Sequence, residues 1–302
     1  MQRITPHLWF DQEAAQAAEF YASVFPNSRV TFKTQIKDTP SGDCEIVGFE
    51  IMGFGFQAIS AGPLFKFNPS ISIMVNFDPS QDSYARERID GVWEKLSEGG
   101  KALMPLDKYS FSERYGWIQD KYGFSWQLMY AMPEWEQRPP IIPSLLFVTD
   151  TCDISEEATD FYLSIFENSM RNAIARYPAG MEPNKEGSVM FTDFQLLGQW
   201  FAAMDGSSAM HNFAFDEAIS LMVNCKDQQE IDYYWGKLSA DPKAEQCGWL
   251  KDKYGVSWQI VQKDMDEMMS NGTPKQIAHV TQAFLKMKKF DIAQLKNAYE
   301  KD

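Results

Sequence analysis

The chain has 302 residues, of which 44% are hydrophobic and 23% are charged, a composition typical of a globular protein with room for two cores. Its formal net charge of −14 predicts repulsion from polyanions, so we expect neither a nucleic acid nor an acidic membrane surface as a partner. No apolar run reaches the roughly 20 residues of a membrane helix. The four cysteines form no Cys-x-x-Cys pair and no signal peptide precedes the first predicted strand, which together predict a cytoplasmic protein with reduced thiols.

Residues 1–132 are predicted to form a first module in which the order β-α-β-β-β occurs twice. Turn glycines separate short apolar or alternating segments, and each helix is predicted from apolar residues at helical spacing. The predicted strands of the first half are Ile4–Phe10, Arg29–Ile36, Glu45–Ile51 and Phe54–Ser60, and those of the second half are Ser70–Phe77, Lys101–Leu106, Tyr115–Asp120 and Ser125–Tyr130.

A repeated hairpin shows that the module is duplicated. The segment Gly116–Leu128 returns as Gly248–Ile260, with nine of thirteen positions identical, and both copies carry a turn of sequence Asp-Lys-Tyr-Gly between two strand-like segments. A second module is therefore predicted at residues 144–263, after a semi-rigid, proline-rich linker at residues 133–143. The first copy has the longer hairpin arm, because sixteen residues precede its Gly-Trp and only Ala240–Cys247 fill the matching gap.

Residues 264–302 have no counterpart in the first module and are predicted to form a C-terminal helical hairpin. Thr273-Pro274 has the pattern of a helix start, and Asp291 can cap a second helix. We expect this extension to dock on the second module or on a partner chain. The acidic run Asp264–Glu267 is interpreted as a solvated face.

Three motifs together resemble the PhnB-like branch of the vicinal oxygen chelate (glyoxalase/bleomycin-resistance/dioxygenase) superfamily. They are Phe20-Tyr21-Ala-Ser-Val-Phe-Pro-Asn-Ser, the repeated hairpin, and Met287-Lys-Lys-Phe-Asp-Ile-Ala-Gln-Leu. Proteins of this branch are often labelled demethylubiquinone methyltransferase-like. The resemblance implies an α+β fold in which each of two tandem glyoxalase-like modules pairs two β-α-β-β-β units in a curved mixed sheet around a cleft.

The resemblance also implies where a divalent metal binds in metal-dependent relatives, namely at His or Glu residues on the first, fourth, fifth and eighth strands of a module. Motif matching places these positions at Pro6, Gln57 or Ala58, Ser70 and Gln127, and in the second copy at Pro143, Ala202 or Phe201, Ala218 and Gln259. None of these side chains is an ionisable ligand, so neither a metal nor a cofactor is predicted. His7 is expected on the opposite face of its strand, and His7, His211 and His279 are interpreted as structural or solvated histidines.

Ten residues are the candidates for ligand binding: Gln57, Ser70, Ser72, Met74, Trp117, Gln127, Ser220, Met222, Trp249 and Gln259. Gln127 and Gln259 can anchor a polar ligand or can close their hairpins as structural amides, and both interpretations stand. Trp117 and Trp249 can line a pocket or pack in the core. Trp126 and Trp258 are assigned to the core.

The functional hypothesis is a metal-free protein that holds a small organic molecule. The alternative is a metal-dependent lyase, isomerase or dioxygenase of the same superfamily, so enzymatic activity stays open and no catalytic residue is assigned. Methyl transfer is not expected, because no parallel βαβ series suits its cofactor. One chain contains a module pair, which favours a monomer with internal pseudo-symmetry or a homodimer, and either both clefts or only one could bind.

Overall fold

The computed structural model of the protein describes residues 2–132 and 136–301 and confirms the α+β fold. Most predicted elements are present, with boundaries shifted by a few residues. The strands are β1 (Ile4–Phe10), β2 (Arg29–Thr39), β3 (Gly42–Ile51), β4 (Phe54–Ser60), β5 (Ile71–Phe77), β6 (Lys101–Tyr109), β7 (Ser112–Gln119), β8 (Ser125–Tyr130), β9 (Ile141–Phe147), β10 (Met170–Arg176), β11 (Val189–Leu196), β12 (Gln199–Asp205), β13 (Ile219–Cys225), β14 (Trp249–Lys251) and β15 (Ser257–Gln262).

The helices are α1 (Ala14–Val24), α2 (Ala85–Ser97), α3 (Ser155–Ile165), α4 (Gln228–Leu238), α5 (Met265–Asn271), α6 (Pro274–Phe284) and α7 (Ile292–Tyr299). Within the described residues, none of these helices has the length and apolar composition needed to cross a bilayer. Part of the linker segment lies outside the described residues, and its last residues, from Ile141 onward, form the start of β9.

The compact units do not follow the sequence repeats. Unit 1 is built from Met1–Ser23, Asn27–Lys66 and Phe215–Asp302, and unit 2 from Val24–Pro26 and Phe67–Ala214. Unit 1 contains a seven-stranded sheet of order β14-β15-β13-β1-β4-β3-β2, and unit 2 an eight-stranded sheet of order β10-β11-β12-β9-β5-β8-β7-β6. Each sheet therefore combines the first half of one sequence module with the second half of the other.

The repeated Asp-Lys-Tyr-Gly turn is held by its aspartate. Asp120 accepts the backbone N–H groups of Tyr122 and Phe124 through Oδ1, at 2.8 and 3.1 Å, and the indole Nε1–H of Trp126 through Oδ2, at 2.9 Å. Asp252 repeats all three bonds with Tyr254, Val256 and Trp258. Trp126 and Trp258 are fully buried, which confirms their assignment to the core and explains the motif as a structural one.

The C-terminal extension is hydrogen-bonded to the edge of unit 1 next to β14. Its predicted helix starts are confirmed: Thr273 and Gln276 form a capping box, and the Asp291 side chain accepts the N–H of Gln294. After α6, the carbonyl groups of Met287 and Lys288 accept the N–H groups of Cys247 and Gly248, at 2.8 and 2.7 Å. The extension thus pairs with the shortened hairpin at the place where unit 2 has the long strand β6.

Candidate functional site

Each sheet has one face covered by helices and a second face that carries the predicted ligand-binding residues. In unit 2, a Cβ atom on Gly116 would lie 2.5 Å from the ring of Trp93 in α2, so Gly116 and its neighbour across the sheet, Leu128, face the helix. Successive residues of a strand alternate between faces, so Trp117 and Gln127 lie on the other one. We call the face opposite α2 in unit 2, and opposite α4 in unit 1, the inner face.

The sheet of unit 1 is curved so that its inner face is concave. The strands β14 and β1 are separated by β15 and β13, which in a flat sheet places them about 14 Å apart, three strand spacings of about 4.8 Å. The rings of Trp249 on β14 and His7 on β1 are nevertheless 5.4 Å apart, in an edge-to-face arrangement. Both side chains must therefore lie on the concave side.

His7 occupies the first-strand position of unit 1, which corrects the sequence-based alignment. Its neighbour across β13 is Ser220 and its neighbour across β4 is Gln57, and paired residues share a face. The prediction that Pro6 takes this position and that His7 points away is wrong by one residue. The alternation of β1 carries the signal, because the apolar residues Ile4, Leu8 and Phe10 are the ones buried on the helix-covered side.

The inner-face set of unit 1 comes from both sequence modules. It consists of His7 and Gln57 from the first module and Ser220 and Gln259 from the second. Gln259 donates from Nε2 to Ser220 Oγ at 2.9 Å. Met222 is buried and pairs in register with Gln259.

Unit 2 has residues at the equivalent inner-face positions, but their side chains differ from those of unit 1. Ser144 on β9 pairs with Ser72 on β5 and with Ala202 on β12, so a serine and an alanine stand where unit 1 has His7 and Gln57. Gln127 donates from Nε2 to Ser72 Oγ at 2.7 Å and accepts the hydroxyl of Tyr115 through Oε1 at 2.8 Å. The Ser144 hydroxyl is buried and has no hydrogen-bond partner among the described residues.

An aromatic and apolar wall adjoins the glutamine of unit 2. The buried members of one cluster are Met74, Tyr115, Met129, Ile142 and Ala202, and the partly buried side chains packed against it are Met104, Tyr109, Trp117, Phe191 and Trp200. The guanidinium of Arg138 lies over the ring of Trp200, 4.2 Å from its centroid, and pairs with Asp193 at 2.8 Å. Large flat side chains of this kind favour an apolar or planar ligand.

Burial controls the ionisation of the inner-face groups. Desolvation lowers the pKa of His7 to about 3, so the imidazole is neutral at pH 7. Burial raises the pKa of the Tyr115 hydroxyl, with a smaller contribution from Tyr109. Neither group carries charge near neutral pH, and the Tyr115 hydroxyl donates to Gln127.

The extension contributes one carboxylate to the inner face of unit 1. Gln57 donates from Nε2 to Asp266 Oδ1 on α5 at 2.8 Å. Desolvation raises the pKa of Asp266, and the hydrogen bond from Gln57 opposes this shift in part. The interpretation of the acidic run as a solvated face is therefore wrong for Asp266, because the helix turns this side chain toward Gln57.

These donor sets do not fit the divalent metal that the resemblance implies. The inner-face set of unit 1 (His7, Gln57, Ser220 and Gln259) offers one imidazole, two amides and a hydroxyl, and that of unit 2 (Ser144, Ala202, Ser72 and Gln127) offers two hydroxyls, an amide and a methyl group. The fifth-strand members of these sets, Ser220 and Ser72, lie two residues beyond the positions Ala218 and Ser70 that motif matching gave. Catalytic zinc and iron sites use at least three His, Cys, Asp or Glu ligands. In residues 2–132 and 136–301, no group of three or more such side chains is arranged to hold an ion.

The ten sequence candidates divide between the two inner faces. Unit 1 contains Gln57, Ser220, Met222, Trp249 and Gln259, and unit 2 contains Ser70, Ser72, Met74, Trp117 and Gln127. Ser70 lies just before β5, where its backbone N–H donates to Asn68 Oδ1 and its carbonyl accepts the N–H of Leu146. Their role in ligand binding remains a prediction.

Sequence reasoning missed His7, Asp266, Ser144 and Tyr115. Ser144 follows from the same one-residue correction as His7, since its strand repeats β1. Tyr115 was assigned only to a strand, although it shares a face with Trp117 by simple alternation. Asp266 had no local signal, because its partner Gln57 is about 200 residues away in the sequence.

Comparison with known proteins agrees with this architecture. The family profile described as 3-demethylubiquinone-9 3-methyltransferase matches residues 2–129 and again residues 139–261. The chain belongs to this family. Its tandem modules place it in the vicinal oxygen chelate superfamily, as the resemblance implied.

Some solved structures are similar to one module of this family member, and others are similar to both modules. A PhnB protein from Bacillus cereus is 34% identical over 43% of this chain and 100% of its own length, with a TM-score of 0.39. Glyoxalase I from Zea mays is 10% identical over 87% of this chain and 95% of its own length, with a TM-score of 0.53. At that identity the glyoxalase shows the shared fold alone. No curated protein matches the chain.

Proposed function

We propose that the protein binds small organic molecules on the inner faces of its two sheets and does so without a divalent metal. The observation that carries this proposal is the chemistry of the four strand positions. Unit 2 has only neutral amide, hydroxyl and methyl groups where a chelating set would need charged or imidazole ligands, and unit 1 has a single imidazole, that of His7, beside two amides and a hydroxyl. In both units a neighbouring serine holds the glutamine.

Unit 2 is suited to a flat, largely apolar ligand. Gln127 is fixed in orientation because its carbonyl oxygen accepts from Tyr115 and its amino group donates to Ser72, which leaves one amide hydrogen for a ligand. The buried hydroxyl of Ser144 supplies a second polar contact, and burying it without a partner costs about 1–3 kcal/mol. Aromatic side chains such as Trp117 and Trp200 supply the apolar walls.

The proposal does not include methyl transfer. The parallel strand pairs are β1 with β4, β5 with β8, β9 with β12 and β13 with β15. In the described part of the chain they do not form the consecutive parallel series, with a glycine-rich turn into a helix, that nucleotide-type cofactors use. The family description is thus a name for the fold of this branch.

Native mass spectrometry and metal analysis test the proposal on the full chain, purified without a chelator or a histidine tag. We expect an organic molecule to co-purify, with divalent metal well below one ion per chain. One tightly bound divalent ion per chain would overturn the proposal and favour the alternative, a metal-dependent lyase, isomerase or dioxygenase.

A pair of glutamine variants connects the retained molecule to the inner face. We expect Gln127→Leu to reduce retention, because it removes the amide that Ser72 and Tyr115 hold on the inner face of unit 2 while keeping the side-chain volume. Gln81→Leu is the control, since Gln81 is exposed in the same unit and, among the described residues, its side-chain amide donates to Ser80 Oγ. Equal retention in both variants would place the molecule elsewhere.

A further inference from the structure

The inner face of unit 1 carries a buried acceptor with no donor. His7 is 4% exposed, and its Nδ1 atom has no hydrogen-bond partner among the described residues. The imidazole is neutral at pH 7, so in the tautomer protonated at Nε2 the lone pair of Nδ1 stands unsatisfied. A buried polar atom in this state indicates a missing partner.

The Asp266 carboxylate is a second acceptor on the same inner face. Its hydrogen bond comes from the neutral amide of Gln57, which is the register neighbour of His7, and within residues 2–132 and 136–301 it forms no ion pair with a basic side chain. A partly buried carboxylate without a cation is unfavourable until a cation reaches it.

Aromatic rings enclose the same region. Trp249 contacts the His7 ring, the centroids of Trp9 and Trp249 are 6.2 Å apart, and those of Trp9 and Phe65 are 5.1 Å apart. Trp9 and Trp249 are both partly exposed, so their rings are accessible to a ligand. Indole rings attract cations through their faces by about 0.5–2 kcal/mol.

We propose that the inner face of unit 1 binds a small molecule that carries a protonated amine. The N–H groups of the amine donate to the Asp266 carboxylate and to His7 Nδ1, and its positive charge lies against the indole of Trp249. This inference rests on the proposed function and makes it specific for one unit. Unit 2 has Ser144 and Ala202 at the equivalent positions, so amine selectivity belongs to unit 1 alone.

Three monosubstituted benzenes of nearly the same size test the proposal by calorimetry on the full chain at low salt: benzylamine, benzyl alcohol and benzoate. We expect benzylamine to bind at least tenfold more tightly than either of the other two. Asp266→Asn should weaken benzylamine binding at least tenfold, since it keeps the shape and a hydrogen-bond acceptor but removes the charge. Asp241→Asn removes a carboxylate of the same unit at a turn, where its side chain accepts the backbone N–H of Lys243, and should leave benzylamine binding unchanged.

A spectroscopic measurement on the unaltered chain provides a second readout, in which a variant serves only to assign the signals. The chain has three histidines, so the ¹⁵N signals of His7 can be assigned with the variant His7→Phe. We expect benzylamine to shift the Nδ1 signal of His7 toward that of a hydrogen-bonded acceptor and to leave His279 unchanged.

Benzylamine that binds no better than benzyl alcohol, or equally well to Asp266→Asn, overturns the inference. If all three compounds bind alike, the inference fails while the proposed function stands. If none binds, the inference also fails, and the co-purification experiment decides the proposed function independently.

Discussion

The aspartate of the repeated turn gives the sharpest quantitative prediction. Asp120 is 4% exposed and accepts three hydrogen bonds, two from backbone N–H groups and one from the indole of Trp126. Hydrogen bonds to a charged acceptor contribute about 1.5–3 kcal/mol each. Asp120→Asn retains Oδ1 for the two backbone donors but turns an NH₂ group toward the indole, so we expect a loss of about 2 kcal/mol in the free energy of unfolding. Asp120→Ala removes all three acceptor contacts, and we expect a loss of about 5 kcal/mol.

Urea denaturation followed by circular dichroism measures both losses. Asp252 makes the same three contacts in the other unit, so Asp252→Asn should cost a similar amount. Asp241→Asn is the matched control, because the Asp241 side chain accepts the exposed backbone N–H of Lys243, at 3.0 Å, through an oxygen that asparagine retains. We expect this control to change stability by less than about 0.5 kcal/mol. A loss in Asp120→Asn no larger than in Asp241→Asn would refute the structural role assigned to the motif.

Two further predictions concern stability. Gly116→Ala should destabilise the protein by about 1–3 kcal/mol, because the new Cβ would lie 2.5 Å from the ring of Trp93. Gly91→Ala, in the same helix as Trp93, has open space around the new Cβ and should stabilise the protein by about 0.5–1 kcal/mol. Thermal unfolding of both variants tests this difference, and equal effects would contradict it. Asp266→Asn should stabilise the ligand-free protein at pH 7. The pKa of Asp266 is raised in the folded state, which means that its ionised form opposes folding. This penalty is absent below the unfolded pKa and grows as pH rises through the folded pKa. Urea titrations at pH 7 and near pH 3 should therefore show the gain only at pH 7, and a gain at both would contradict the assigned cause.

The local elements and the duplication were predictable because their signals are short in range. The alternation of Ile71–Phe77, the turn residues of the repeated hairpin and the caps at Thr273 and Asp291 each depend on a few adjacent residues, and all appear as expected. The sequence did not predict correctly which residues pair on the inner faces. A one-residue error in β1 moved His7 to the wrong face, because the period of a strand is two and a single step inverts every side chain.

The amino-acid sequence by itself determined that two copies of one hairpin-rich module follow each other, that the matched ligand positions are largely neutral, and that a helical extension follows. Only the tertiary structure decided which halves share a sheet: β1 pairs with β13 and β5 with β9, so both inner faces draw on both modules. Strand exchange between equivalent repeats leaves the local pattern unchanged, since each strand keeps the same hydrophobic face in either arrangement. For the same reason, only the folded chain places the Asp266 carboxylate beside Gln57, at a contact spanning 209 residues.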